Sequence, residues 1–164
     1  MSIDTLLLHS PSKGPLVFSS VVESINTYIK KDPERQYKIV VGTDSSAREL
    51  TTLVTAIIVH RVGHGAIYFL ANSPIRQFSS LRDRIFEEAM MSIMLGQELR
   101  SALKDTLGKE LLWDGNEIHV DIGENGPTKE LIDAVTGMIK GYDFIPVIKP
   151  YSFAAFSVAD RYTQ

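Results

Sequence analysis

The apolar positions of this chain fall into short blocks that switch between two periods. "SSVVESINTYIKKD" (19–32) spaces Val22, Ile25 and Ile29, with Val21 and Tyr28 beside them, at helical intervals; Ser19 or Ser20 can cap it and Pro33 closes it. "YKIVVGTD" (37–44) and "TTLVTAIIVHR" (51–61) are dense runs of strand length. "VGHG" turns the second run into a third strand, "AIYFLA" (66–71), which makes a hairpin. A long helix is expected from about Ser79 to Leu103, with no internal proline. "NEIHVDIG" (116–123) reads as a fourth strand, and "TKELIDAVTGMIKG" (128–141) as a helix ended by Gly141. "FIPVIK" (144–149) is a fifth strand whose proline favours an edge, and "SFAAFSVADRYT" (152–163) a short closing helix with Ser152 as N-cap. "HSPSKGP" (9–15) is polar and rich in turn formers, so residues 1–15 are expected to form an arm and 16–164 a single domain. The order of elements is that of an α/β fold: a mixed five-stranded sheet, its first three strands antiparallel, flanked by helices.

Composition changes this picture little. A length of 164 residues suits one domain, and 44% hydrophobic with 23% charged residues is ordinary for a globular protein. With no cysteine, disulfides and thiolate metal sites are excluded. The N-terminal "MSIDTLLLHSPSKG" has a short apolar run without a basic flank, and no run approaches membrane-spanning length; a cytoplasmic protein with no membrane partner is expected. The net charge of −3 does not mark a nucleic-acid binder. Setting four of the 20 acids aside as metal ligands leaves 16 against 17 bases, so charge does not decide the matter.

Four acids stand where apolar residues would be safer. Asp44 ends the first of these strands and shares a face with Gly42 and Val40; Asp121 ends the fourth and shares a face with His119. On the long helix Glu88 lies seven residues beyond Leu81, about 20° from it on a helical wheel and inside the apolar stripe. Its neighbour Glu87 falls at the flank of that stripe. Asp160 shares a helical face with Phe153, Phe156 and Ser157. A buried carboxylate is costly unless paired, hydrogen-bonded or metal-bound. Taken singly, each has a plainer reading: a turn residue for Asp44 and Asp121, a partner of Arg84 or Arg82 for Glu88, a surface ion pair with Arg161 for Asp160. Taken together, they are the hard oxygen donors that Mg²⁺ or Mn²⁺ prefers, and two such ions can clamp an in-line phosphoryl displacement.

The stretches "YKIVVGTDSS", "AIIVHRVGHGAIYF", "LRDRIFEEA", "IHVDIGENGPTKELIDAVTGMIKG" and "IKPYSFAAFSVADRYT" resemble the YkuK family of bacterial ribonuclease H-like proteins. They span residues 37–163. The resemblance implies the ribonuclease H-like fold and, position by position, an acidic cluster of Asp44, Glu88, Asp121 and Asp160 as catalytic metal ligands. It implies a nuclease using two Mg²⁺ or Mn²⁺ ions on a nucleic acid, whether RNA, DNA or hybrid. Proofreading-type exonucleases of the superfamily resemble one another in a D-x-E on the first strand; here the residues are Asp44, Ser45 and Ser46, which speaks against that branch.

Other features have bland readings beside sharper ones. "GENGPTKE" starts a helix with Pro127 in its first turn and could hold a phosphate, though a glycine turn capped by Thr128 or Asn125 is simpler. Lys129 and Lys149 could meet a phosphate backbone or simply be solvated. His119 could move a proton or bind phosphate, or be a satisfied structural histidine. His60, Arg61 and His64 cluster at the hairpin turn, where solvation is the plainer reading; Phe153 and Phe156 read as core, and Trp113 is assigned no role. Two rival functions remain. One is a non-catalytic nucleic-acid- or protein-binding module of the same fold. The other takes "GTDSS" and "DIGENGPT" as phosphate loops of an actin-like ATPase, which needs two such domains where this length provides one.

Overall fold

A computed structural model of the chain describes residues 3, 6–107 and 116–154. In chain order its elements are β1 (Leu7–Ser10), β2 (Gly14–Leu16), α1 (Phe18–Lys30), β3 (Tyr37–Ser45), β4 (Leu50–Thr51), β5 (Leu53–Arg61), β6 (Ala66–Asn72), β7 (Arg76–Gln77), α2 (Leu81–Leu107), β8 (Glu117–His119), α3 (Ile132–Gly141) and β9 (Ile145–Val147). One turn of 3-10 helix, Lys129–Leu131, leads into α3.

The sheet has seven strands, in the order β2-β1-β6-β5-β3-β8-β9, rather than the five expected; β4 and β7 pair separately. The two added strands lie in the stretch read as an arm. Leu7, Leu8 and His9 pair antiparallel with Asn72, Ala71 and Leu70, while Leu8 also opposes Leu16 across the β1–β2 hairpin. Three- and four-residue strands broken by turn formers carry too few apolar positions to display a period of two. What draws them into the sheet is the open edge of β6, whose backbone groups need partners. The remainder follows the expected plan: β3, β5 and β6 are antiparallel, and β8 and β9 run parallel to β3. Pro146, which cannot donate to a ladder, sits in the edge strand β9.

Alternation along β3 sends residues to two layers. Ile39 and Val41 join Ile57, Val59 and Ile118 in the main core, packed under Val21, Ile25 and Ile29 of α1 and Ile85, Ala89, Ile93 and Leu99 of α2. Val40, on the opposite face, packs with Ile58 and Ala154. The long helix lies close on the sheet partly because of Gly96. A Cβ there would stand 3.0 Å from the Phe144 ring and 3.5 Å from Ile118. Thr128 does not cap α3; its hydroxyl accepts from the backbone N–H of Gly123 at 3.2 Å, tying down the loop after β8. Among the described residues no helix is long and apolar enough to cross a membrane.

The closing helix expected over 152–163 lies outside the described residues from 155 onward, and so do Asp160, Phe156 and Trp113. Among the described residues the buried Ser152 hydroxyl makes no hydrogen bond, and the helix it was expected to cap lies outside them. One expectation at the start of that segment is corrected: Phe153 is not core, being 43% exposed and leaning edge-on against His119, with ring centroids 4.6 Å apart.

Candidate acidic site at the strand ends

The parallel ladder of β3 and β8 stops two residues short of two of the acids. Val40, Val41 and Gly42 oppose Glu117, Ile118 and His119. Asp44 and Asp121 each stand two residues beyond the last pair of that ladder. Asp44 is half-buried within β3; Asp121 follows β8 with its side chain 26% exposed.

Glu88 approaches from α2. Its side chain is 3% exposed, whereas that of Glu87 is 48% exposed and pairs with Arg76 at 2.7 Å. The helical wheel therefore separates the two glutamates as their environments do. Ser45, one residue past Asp44 and on the α2 side of β3, donates its hydroxyl to Glu88 Oε1 at 2.5 Å. Arg84, one turn earlier on the helix, brings Nε to 3.9 Å from the same oxygen. Burial pushes the Glu88 pKa up to about 8; Asp44 and Asp121 raise it further, against the lowering pull of the Ser45 bond and of Arg84. Both aspartates thus lie near enough to act on Glu88 through their charge.

Beneath Glu88 runs a hydroxyl row that joins sheet to helix. Thr43 Oγ1 lies 2.8 Å from Thr55 Oγ1 and 2.7 Å from Ser92 Oγ, and Ser92 also donates to the Glu88 carbonyl at 3.1 Å. Sequence reasoning left these hydroxyls without a role. Their signal was the polar Ser92 within an apolar stripe, four residues from Glu88, opposite the alternate residues Thr43 and Ser45.

Lys149 is the other residue underread in the sequence. Its Nζ stands 2.9 Å from Asp121 Oδ1, although that oxygen receives no well-aligned hydrogen bond. Asp121 therefore has a cation on its edge, and the glycine loop does not leave that edge open. His119 is the satisfied structural histidine. It is 1% exposed, and its Nδ1 accepts from the N–H groups of Phe153 and Ala154 at 3.0 and 3.3 Å. The proton then sits on Nε2, which donates to Glu117 Oε2 at 2.9 Å, and Lys38 holds the other Glu117 oxygen at 2.8 Å. Burial lowers the His119 pKa, with Glu117 opposing. Arg61 is likewise engaged, donating to the Tyr37 hydroxyl and the Tyr28 carbonyl at 3.0 and 2.8 Å.

As donors, Asp44, Glu88 and Asp121 suit a hard divalent cation, and Asp121 Oδ1, which has an ion pair with Lys149 but no well-aligned hydrogen bond, is the oxygen such a cation would take up. Among the described residues, no three His, Asp or Glu side chains already converge as a metal cage.

A profile of the family described as Ribonuclease H-like matches residues 20–164. A relative from Bacillus subtilis (strain 168), named "Uncharacterized protein YkuK", is 35% identical over an alignment that covers 98% of this chain and 99% of the relative. No solved structure matches. Both the match along the chain and the strand-end acids agree with the fold, and the chain belongs to the ribonuclease H-like family that includes YkuK.

Proposed function

We propose that this protein is a Mg²⁺- or Mn²⁺-dependent phosphodiester hydrolase acting on nucleic acid. The observation that carries the reading is Glu88: a carboxyl buried on α2, bound by Ser45, its pKa pushed up by burial first and then by the charges of Asp44 and Asp121. Burying such a group adds nothing to the fold that an apolar residue would not do better. It is suited to binding a cation that the neighbouring acids also attract.

Asp44 and Asp121, at the ends of neighbouring strands, would be the central ligands; Glu88 would complete the described set, and Asp160 would be its fourth member by family resemblance. Ser45 holds the Glu88 carboxyl oriented toward that role. Divalent ions, when bound there, would supply activation of an attacking water and neutralisation of charge on the phosphoryl oxygens. Membership of the ribonuclease H-like family supports nucleic acid as the substrate class.

The test is a survey of RNA, DNA and hybrid substrates with Mn²⁺, run beside Asp44→Asn. Cleavage by the wild type that falls at least 100-fold in the variant, as about 2.7 kcal/mol of lost transition-state stabilisation would require, is the expected result. Activity surviving the substitution overturns the assignment. A second reading, a binding module without catalysis, is favoured by the unclosed cage and by Lys149 on Asp121. It predicts oligonucleotide binding that is indifferent to Mn²⁺, with no cleavage of any substrate.

A further inference from the structure

Lys149 is placed with more care than a solvated lysine needs. Its backbone N–H donates to Ile122 O at 2.9 Å, fixing the chain two residues past β9 to the loop that follows Asp121. Its aliphatic stem runs over Gly123: a Cβ added there would meet Lys149 Cβ at 3.0 Å and Cδ at 3.5 Å. The glycine directly after "VDI" thus opens a channel along which the lysine reaches Asp121. The side chain remains 50% exposed.

The ion pair is not what holds this region together. Strands β8 and β9 already pair from Glu117↔Ile145 to His119↔Val147, and Val120 donates to Val147 O beyond them. A half-exposed pair adds little to stability. What the ammonium does is place positive charge directly on Asp121.

We propose that Lys149 is the resident counter-cation of the acidic site, displaced from Asp121 by a divalent ion and then free to contact a phosphate oxygen of bound nucleic acid. The inference rests on the metal-dependent reading above and adds to it. One side chain steadies the metal-free acids, competes with the metal, and contributes to the binding of the polyanion. Its flexible stem, anchored at the Cβ end on Gly123, allows the ammonium to exchange partners without moving the strand.

The experiment is a calorimetric Mn²⁺ titration of the full chain, comparing wild type with Lys149→Met and Lys149→Arg. It is paired with fluorescence anisotropy of labelled single-stranded RNA, single-stranded DNA and an RNA–DNA hybrid in Mn²⁺. Lys149→Met is expected to bind Mn²⁺ about two- to fivefold more tightly, the range that loss of a half-exposed competing pair supports. It is expected to bind the oligonucleotides more weakly, while Lys149→Arg stays near wild type in both. Gly123→Ala, which displaces the stem without removing the charge, should also tighten Mn²⁺ binding. If the wild type binds Mn²⁺ and Lys149→Met binds it no more tightly, the lysine proposal falls and the metal reading stands. A wild type that takes up no Mn²⁺ removes both. Unchanged thermal melting of the metal-free variant establishes that it is folded; if Lys149→Met does not fold, Lys149→Gln and Gly123→Ala carry the same comparison.

Discussion

Ser45 Oγ donates to Glu88 Oε1 at 2.5 Å, joining the end of β3 to α2 one residue beyond Asp44. One strand end therefore presents an acid on one face and the orienting partner of a second acid on the other. Because this bond lowers the Glu88 pKa, Ser45→Ala should raise it further above about 8. Mn²⁺ affinity near neutral pH should then fall, since more of the carboxyl must first lose its proton. Titrations at several pH values check this; affinity that matches the wild type at every pH contradicts it.

Glu88 also makes stability depend on pH in a definite direction. Its folded pKa, about 8, lies above the ordinary 4.5, so between those values the native state holds a proton that the unfolded chain has lost. Stability is then fullest below about 4.5, falls as pH rises toward about 8, and levels off above. Glu88→Gln keeps an acceptor for Ser45 and removes the titration. At pH 8 without metal it should melt a few degrees higher than wild type, at about 2–4 °C per kcal/mol for a chain of this size, while losing metal-dependent activity. Equal slopes of melting temperature against pH in the two proteins would remove Glu88 as their source.

His119 sets the opposite dependence. Buried and neutral, it has a pKa below the ordinary 6.5, so its contribution is complete above 6.5 and is lost as pH falls through the lowered folded value. Protonating Nδ1 would end its acceptance from the Phe153 and Ala154 N–H groups. His119→Ala should cost about 1–3 kcal/mol for each buried donor left unpaired. His119→Asn, which can keep an acceptor near the Nδ1 position, should recover part of that loss. Urea midpoints of the three proteins decide the point, and equal destabilisation by Ala and Asn would contradict it.

How much of this could be read from residues alone depended on the length of the pattern. β3 and β5, nine residues each, carried enough apolar positions to be recognised, as did the stripe that buries Glu88 rather than Glu87. Pro146 marked its own edge strand by lacking a donor. The β1–β2 hairpin was missed because a strand of three or four residues owes its existence to the β6 edge rather than to its own sequence. Thr128 looked like a cap and is instead the acceptor for Gly123, since the residue at a helix start can bond backward as easily as forward. Lys149 was underread for a similar reason. Its partner Asp121 is 28 residues away, and only the pairing of β8 with β9 makes them neighbours. Placement at strand ends and on helix faces suggested grouping Asp44, Glu88, Asp121 and Asp160, and the family resemblance added the catalytic role proposed for them.

Gly96 tests the packing that sets the height of Glu88 over the sheet. With Phe144 and Ile118 already at the limit of contact, Gly96→Val should destabilise by about 1–3 kcal/mol, the usual range for an overfilled core. By lifting α2 it should also weaken Mn²⁺ binding. A variant with lowered melting temperature and wild-type Mn²⁺ affinity would show that the helix position and the acidic site are independent.

If Asp44 and Asp121 bind a divalent cation together, Mn²⁺ binding measured by calorimetry for the wild type, Asp44→Asn and Asp121→Asn shows it most directly. Saturable binding by the wild type and at least tenfold weaker binding, about 1.4 kcal/mol, by each variant are expected. Wild-type protein that binds no Mn²⁺, or two variants that bind it as well as the wild type does, would contradict joint binding.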